Sequence, residues 1–295
     1  MRRFVWLIAL VGCGDRDEPD AAPAMPSVSR GMELDAEDYG RARLGFRTKH
    51  ERRGPSPQVG AFPRTPAGAL KWTYRSAGRE LSAFATPDPG DGFRRPAVLF
   101  LHGGFAFGEG DWAMARPFRE AAYAVMVPLL RGENGQPGDF SLFHDEVDDV
   151  LAAAEALSRL PWVDPDRLFV AGHSAGGTLA MLAAMATDKF RAAASFSGSP
   201  DQAMSTQDQP ERTPFDRASI REVRMRSPVA FASSFRCPAR LYHGVEEFWA
   251  EGSTAMTASR AKAAGLDVEA VPVAGDHFSS VPGAIRRAIA FFGRR

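Results

Sequence analysis

Gly172-His173-Ser174-Ala175-Gly176-Gly177 sets a serine between two glycines, directly after the apolar run 168–171. A serine in that setting is a candidate nucleophile. A buried strand runs into a tight turn, the hydroxyl stands exposed at its apex, and a helix leaves behind it. Glycine is needed at 172 and 176 because strand and helix crowd each other there. The strained turn also aims the next N–H, that of Ala175, into the site. A serine hydroxyl becomes a useful nucleophile only when a base takes its proton. His277, in Gly275-Asp276-His277-Phe278, follows the last apolar strand and precedes the final helix, where that base belongs. It is the only one of six histidines so placed. His50 falls in an irregular arm, and His144, ahead of an acidic helix, reads as a surface or capping residue. The acid that orients the imidazole should lie between serine and histidine, after the preceding strand. His243-Gly244-Val245-Glu246-Glu247 supplies two candidates. Only one can lean inward; Glu247 is the first choice and Glu246 the second. Asp276 is less suited, because neighbours in sequence rarely reach each other's imidazole.

His102-Gly103-Gly104 ends another apolar strand. Paired glycines let backbone amides approach a substrate oxygen, so the oxyanion hole is assigned to the N–H groups of Gly104 and Ala175. His102 itself reads as a structural residue bonded beneath the loop. Phe105 and Phe107 are candidates to line a substrate pocket, with core packing an equal alternative. Arg131, at a strand end in Arg131-Gly132-Glu133-Asn134-Gly135, reads first as a loop residue and second as a contact for a substrate carboxylate. Asp145, Glu146, Asp148 and Asp149 are dense enough to suggest calcium, yet they fall in the first turns of a helix, whose dipole accounts for them without a metal.

The elements that would position these groups alternate along the chain. Residues 70–74 and 81–85 read as an antiparallel hairpin. Strands are expected over 97–101, 124–130, 168–171, 192–196, 239–242 and 268–273, and helices over 145–160, 178–186, 253–264 and 282–292. Fully apolar strands alternating with helices imply a mostly parallel sheet covered on both faces, with functional loops at the carboxyl ends of its strands. The polar stretch 199–228 interrupts the alternation and reads as a small cap over the site. Residues 31–66 read as an irregular, locally basic connecting arm exposed to solvent.

The 295 residues suit one large domain, residues 67–295, with a lead-in. Lys plus Arg and Asp plus Glu balance at 36 each, so no global charge favours nucleic acid. No internal repeat or zinc-type Cys/His spacing occurs, and no internal run is long enough for a membrane span. The first twelve residues, Met1-Arg2-Arg3 followed by a short apolar core, read as an export signal. Residues 10–13, Leu-Val-Gly-Cys, resemble the bacterial lipobox, which implies a lipidated Cys13, a tether and lead-in over 13–66, and a membrane-anchored envelope lipoprotein. Cys237, the other cysteine, reads as a buried thiol.

Taken together, His-Gly-Gly, Arg-Gly-Glu-Asn-Gly, Asp-Glu-Val-Asp-Asp-Val, Val-Asp-Pro-Asp-Arg and Gly-His-Ser-Ala-Gly-Gly resemble the α/β-hydrolase superfamily over roughly residues 69–292. Within it they are similar to the prolyl oligopeptidase catalytic domain and its dienelactone-hydrolase-like relatives. The resemblance implies an α/β-hydrolase fold and a serine hydrolase that needs no cofactor. It departs from the pattern in offering Glu where the acid is usually Asp, and Ser174 stands where some relatives carry a nucleophilic cysteine. Three functions are carried forward: a serine-type peptidase, an esterase acting on small esters, and a catalytically inactive binding protein on the same fold.

Overall fold

The computed structural model describes Ser29, residues 31–58 and residues 60–295. The export signal and Cys13 lie outside the described residues.

The apolar runs fall side by side in one sheet. Its strands are β1 (Leu70–Ser76), β2 (Arg79–Ala85), β3 (Arg95–Leu101), β4 (Ala124–Pro128), β5 (Val163–His173), β6 (Ala192–Phe196), β7 (Ala239–Gly244) and β8 (Val268–Val273). They lie in the order β1-β2-β4-β3-β5-β6-β7-β8. The β1–β2 hairpin pairs antiparallel from Leu70↔Ala85 to Ser76↔Arg79, and β2 pairs antiparallel with β4. Every later pairing is parallel. This is the α/β-hydrolase fold.

The helices are α1 (Tyr39–Leu44), α2 (Glu109–Met114), α3 (Arg116–Glu120), α4 (Glu146–Ser158), α5 (Ala175–Ala186), α6 (Ala203–Asp208), α7 (Ile220–Arg224), α8 (Phe248–Ala263) and α9 (Val281–Phe292). Side chains alternate across the pleat, so one strand feeds two cores. On β5, Leu168 and Val170 join the cluster under α4 and α5, while Phe169 and Ala171 join the one under α3 and α9. Helix α9 buries Val281, Ala284, Ile285, Ala288, Phe291 and Phe292, the spacing of one helical face. Phe292 stacks on Phe169 with ring centroids 4.5 Å apart. Helix α5 is buried from Ala175 to Met185, consistent with its nearly unbroken apolar sequence.

Four expectations need correction. The lead-in is not a solvated arm: Met32 and Tyr39 are buried in the core, and Phe46 packs beside them. Its apolar residues are too sparse to show a period, and α1 is only six residues long, capped by Asp38 accepting from the Arg41 N–H. Strand β5 starts at Val163, five residues before its apolar run, because Val163 pairs with Arg95 ahead of a bulge. Helix α8 starts at Phe248 rather than 253: its first turn buries Ala250 but exposes Phe248 and Trp249, so no single apolar face marks it. The stretch 199–228 divides: α6 borders the site cavity, whereas α7 turns back against the lead-in, where Glu222 accepts from Lys49 N–H and Thr48 Oγ1.

Candidate active site

Ser174 sits between β5 and α5 with φ +54° and ψ −118°, a conformation that L residues avoid unless held. The hold is visible. The Ser174 N–H donates to Phe196 O on β6 at 2.8 Å. A Cβ on Gly172 would meet Gly176 O at 2.2 Å, and one on Gly176 would meet Leu101 O at 2.1 Å. Neither position admits a side chain, so the two glycines are what let strand, turn and helix close around the serine.

His277 lies in the loop after β8. Its Nε2 is 3.0 Å from Ser174 Oγ and its Nδ1 is 2.6 Å from Glu247 Oε1. Glu247 ends the loop after β7 and is buried, while Glu246 is exposed and turned away. The second oxygen of Glu247 accepts from Ser197 Oγ at 2.5 Å and from the Gly244 N–H at 2.7 Å. Burial pushes the Glu247 carboxyl up, but the bonds from His277, Ser197 and Gly244 outweigh it and hold the pKa below its ordinary value. The group is therefore a carboxylate at neutral pH, and its geometry fixes the imidazole with Nε2 toward the serine. Asp276 serves the loop instead. Its carboxylate accepts from the Phe278 and Ser279 N–H groups and from Ser279 Oγ, which draw its pKa down to about 2.

Gly104 (φ +65°) and Ala175 both face the cavity that holds Ser174 and His277. In the loop after β3, the Phe105 N–H donates to Gln58 Oε1 at 2.9 Å and the Gly103 N–H makes a long bond to Asp111 at 3.4 Å. The Gly104 N–H has no partner among the described residues. Ala175 opens α5, so its N–H has no carbonyl one turn earlier to bond. Beneath this loop His102 Nε2 meets Glu133 Oε2 at 2.9 Å. Burial alone would lower the His102 pKa; the Glu133 carboxylate overrides it and lifts the group to about 9, leaving a buried ion pair.

The cavity has a volume of about 760 Å³ and is bounded by Phe105, Leu142 and Phe143 on one side, and by α6 and the start of α8 on others. Phe105 is thus a lining residue. Phe107 is not: it is buried against Phe84, with centroids 5.0 Å apart, because the chain turns down into the second core after Phe105. Arg131 is also outside the cavity. It is buried, and its Nε and Nη2 both bond the Asp149 carboxylate at 2.8 and 2.7 Å, which leaves it no free edge for substrate. Asp149 and Glu146 are correspondingly buried, so two of the four acidic residues anchor loops and do more than answer the helix dipole. His144 is buried rather than at the surface, and burial together with Arg43, Arg226 and Arg131 drives its pKa down to about 2. Cys237 is buried as expected, which raises its thiol pKa to about 12.

Two residues that sequence reasoning passed over join the site. Ser197 (φ +53°) braces Glu247, and only its place at the end of β6, beside the serine strand, signals it. His173 sits inside the Gly-His-Ser motif. Its Nε2 lies 2.9 Å from the His277 carbonyl, tying the histidine loop to the serine turn.

With the geometry in hand, comparison with known proteins adds the following. Residues 113–246 match the prolyl oligopeptidase family. The chain is 25% identical over 177 residues to the uncharacterized peptidase YtmA of Bacillus subtilis (strain 168), covering 55% of this chain and 65% of that one. It superposes on a puromycin-hydrolyzing peptidase of Mycobacterium tuberculosis with a TM-score of 0.66 at 24% identity, covering 77% of this chain and 40% of that one. A putative dienelactone hydrolase of Klebsiella pneumoniae gives a TM-score of 0.61 at 17% identity, with 77% of this chain and 98% of that one covered. The chain thus spans under two thirds of the two peptidases and nearly all of the smaller hydrolase. The likeness defines the class by its fold: the protein has the α/β-hydrolase fold. Within that fold, residues 113–246 are similar to the prolyl oligopeptidase family.

Proposed function

We propose that the protein hydrolyses an ester or amide bond through an acyl-enzyme on Ser174, with the peptidase reading first. The observation that carries it is the unbroken chain of contacts Ser174–His277–Glu247, at a cavity also lined by Gly104 and Ala175, whose N–H groups have no partner among the described residues. His277 Nε2 takes the Ser174 proton as Oγ attacks the carbonyl carbon. Glu247 accepts the Nδ1–H bond and stabilises the imidazolium. The Gly104 and Ala175 N–H groups take up the oxyanion, each worth about 3 kcal/mol. His277 then gives its proton to the leaving group, and water repeats the sequence on the acyl-enzyme.

The peptidase reading is supported by the family matched and by the relatives named as peptidases. The esterase reading is supported by the extent to which a small dienelactone hydrolase is covered end to end. Aminoacyl p-nitroanilides and p-nitrophenyl esters, assayed side by side with Ser174→Ala, separate the two. A peptidase cleaves both series, an esterase only the second, and turnover by Ser174→Ala equal to wild type would contradict the nucleophile.

Anchorage of the protein to the envelope through lipid on Cys13 is a further part of this reading, supported by residues 1–13 alone. Globomycin should shift the band of the tagged full-length protein in a bacterial host; an unshifted band would remove the anchor.

A further inference from the structure

Leu142 and Phe143 are consecutive non-glycine residues in the left-handed region, with φ of +55° and +70°. That conformation is unfavourable for an L residue, so two in succession persist only where the surroundings over-determine the backbone. Both residues line the cavity that holds Ser174 and His277.

The restraint comes from three separate segments. From α4, the Glu146 carboxylate accepts the Ser141 N–H and the Ser141 Oγ–H, each at 2.6 Å. From the end of the insertion, Arg226 Nε and Nη2 both donate to the Ser141 carbonyl, at 3.0 and 2.8 Å, and the guanidinium is itself held by Glu222 and the face of Phe215. From the lead-in, Arg43 Nη1 donates to the His144 carbonyl at 2.5 Å. The two-residue turn is therefore clamped at both ends by buried ionisable side chains, none of which bonds the serine, histidine or glutamate of the site. What the clamps fix is the placement of two apolar side chains in the cavity wall. The Phe143 and Phe105 ring centroids are 5.9 Å apart, and Phe105 follows Gly104 directly. The three side chains of this wall are apolar, whereas the α6 side of the same cavity mixes Met204 with Gln202, Ser205 and Asp208.

We propose that Leu142 and Phe143, with Phe105, form a preshaped apolar subsite that selects substrates carrying a bulky, aromatic-sized apolar group on one side of the scissile bond. Ser141, Glu146 and Arg226 act on it as positioning residues. This rests on the serine-hydrolase reading of the neighbouring residues. A wall already held in place does not have to be ordered when substrate binds, so the apolar contact it makes is retained as affinity and orientation.

Two ester series test it: acetyl against phenylacetyl with a constant p-nitrophenol leaving group, and methyl against benzyl alcohol with a constant acyl group. One series should favour the bulky member in kcat/KM, which also tells whether the subsite takes the acyl or the leaving side. Phe143→Ala should lower that bulky-to-small ratio by about tenfold or more. Glu146→Ala should lower the same ratio, chiefly through KM. Phe93→Ala, a change at an exposed phenylalanine away from the cavity, should leave it alone. The ratio is internal to each preparation and does not depend on the fraction folded. Labelling rates with small and aryl fluorophosphonates read the same ratio where ester turnover is slow. A ratio equal in wild type and Phe143→Ala, in an enzyme that labels, would overturn the subsite alone. Failure of labelling by every probe would instead overturn the serine-hydrolase reading, and the subsite with it.

Discussion

Two adjacent glutamates separate by environment. Glu247 is buried with its oxygens shared among His277, Ser197 and Gly244, and Glu246 points into solvent. Glu247→Gln should therefore lower kcat by about 10²- to 10⁴-fold with little change in KM, because the amide no longer holds the imidazole in the useful tautomer. Glu246→Gln should match wild type. Steady-state kinetics on one activated ester check both, and equal losses in the two variants would contradict the assignment. His173 acts at one remove, by holding the His277 carbonyl. His173→Ala should cost more in kcat than in KM, since it loosens the base without touching the pocket.

The serine turn works because two elements touch without side chains between them. Gly176→Ala would place a methyl carbon about 2.1 Å from Leu101 O, a clash with backbone rather than with a yielding side chain. That variant should lose both folding yield and activity. Helix α9 carries a different dependence. Phe292 stacks on Phe169 under the sheet and lies far from the chemistry. Phe292→Ala should destabilise by roughly 3–5 kcal/mol through cavity formation. A thermal melt shows the loss, while the kcat of the remaining folded enzyme stays near wild type. Elements of this kind were legible in the sequence. The strands around Val98, Val125, Val170 and Ala194 are apolar on both faces, and the 3–4 spacing of α9 is clear. Helices α1, α2, α3, α6 and α7 were not, because each has five or six residues and too few turns for a period to show. Likewise, Ser174, His277, Gly104 and Glu247 follow from motif and chain order. Ser197 and the loop 141–144 do not, since contacts between segments distant in sequence create their roles.

At the scale of the whole molecule, buried ionisable groups make stability depend on pH. His102, fully buried against Glu133, has its pKa raised to about 9 from the histidine reference of about 6.5. The folded state then binds more protons than the unfolded chain between those values, so the contribution of this pair is complete below about pH 6.5 and is lost as pH rises through about 9. His144 works in the opposite sense. Its pKa is lowered to about 2, so its contribution is present above about pH 6.5 and is lost as pH falls toward 2. Urea midpoints measured from pH 5 to 10 should fall at the alkaline end, and His102→Gln should flatten that limb. An alkaline limb unchanged in the variant would contradict the ion pair beneath the Gly104 loop.

The predictions about turnover depend on an activated Ser174. Labelling of the purified domain by a fluorophosphonate, alongside Ser174→Ala, tests that most directly. Rapid labelling of wild type, with none in the variant, is the predicted result. Absence of labelling in both, from correctly folded protein, would contradict the account and bring the inactive binding protein to the front.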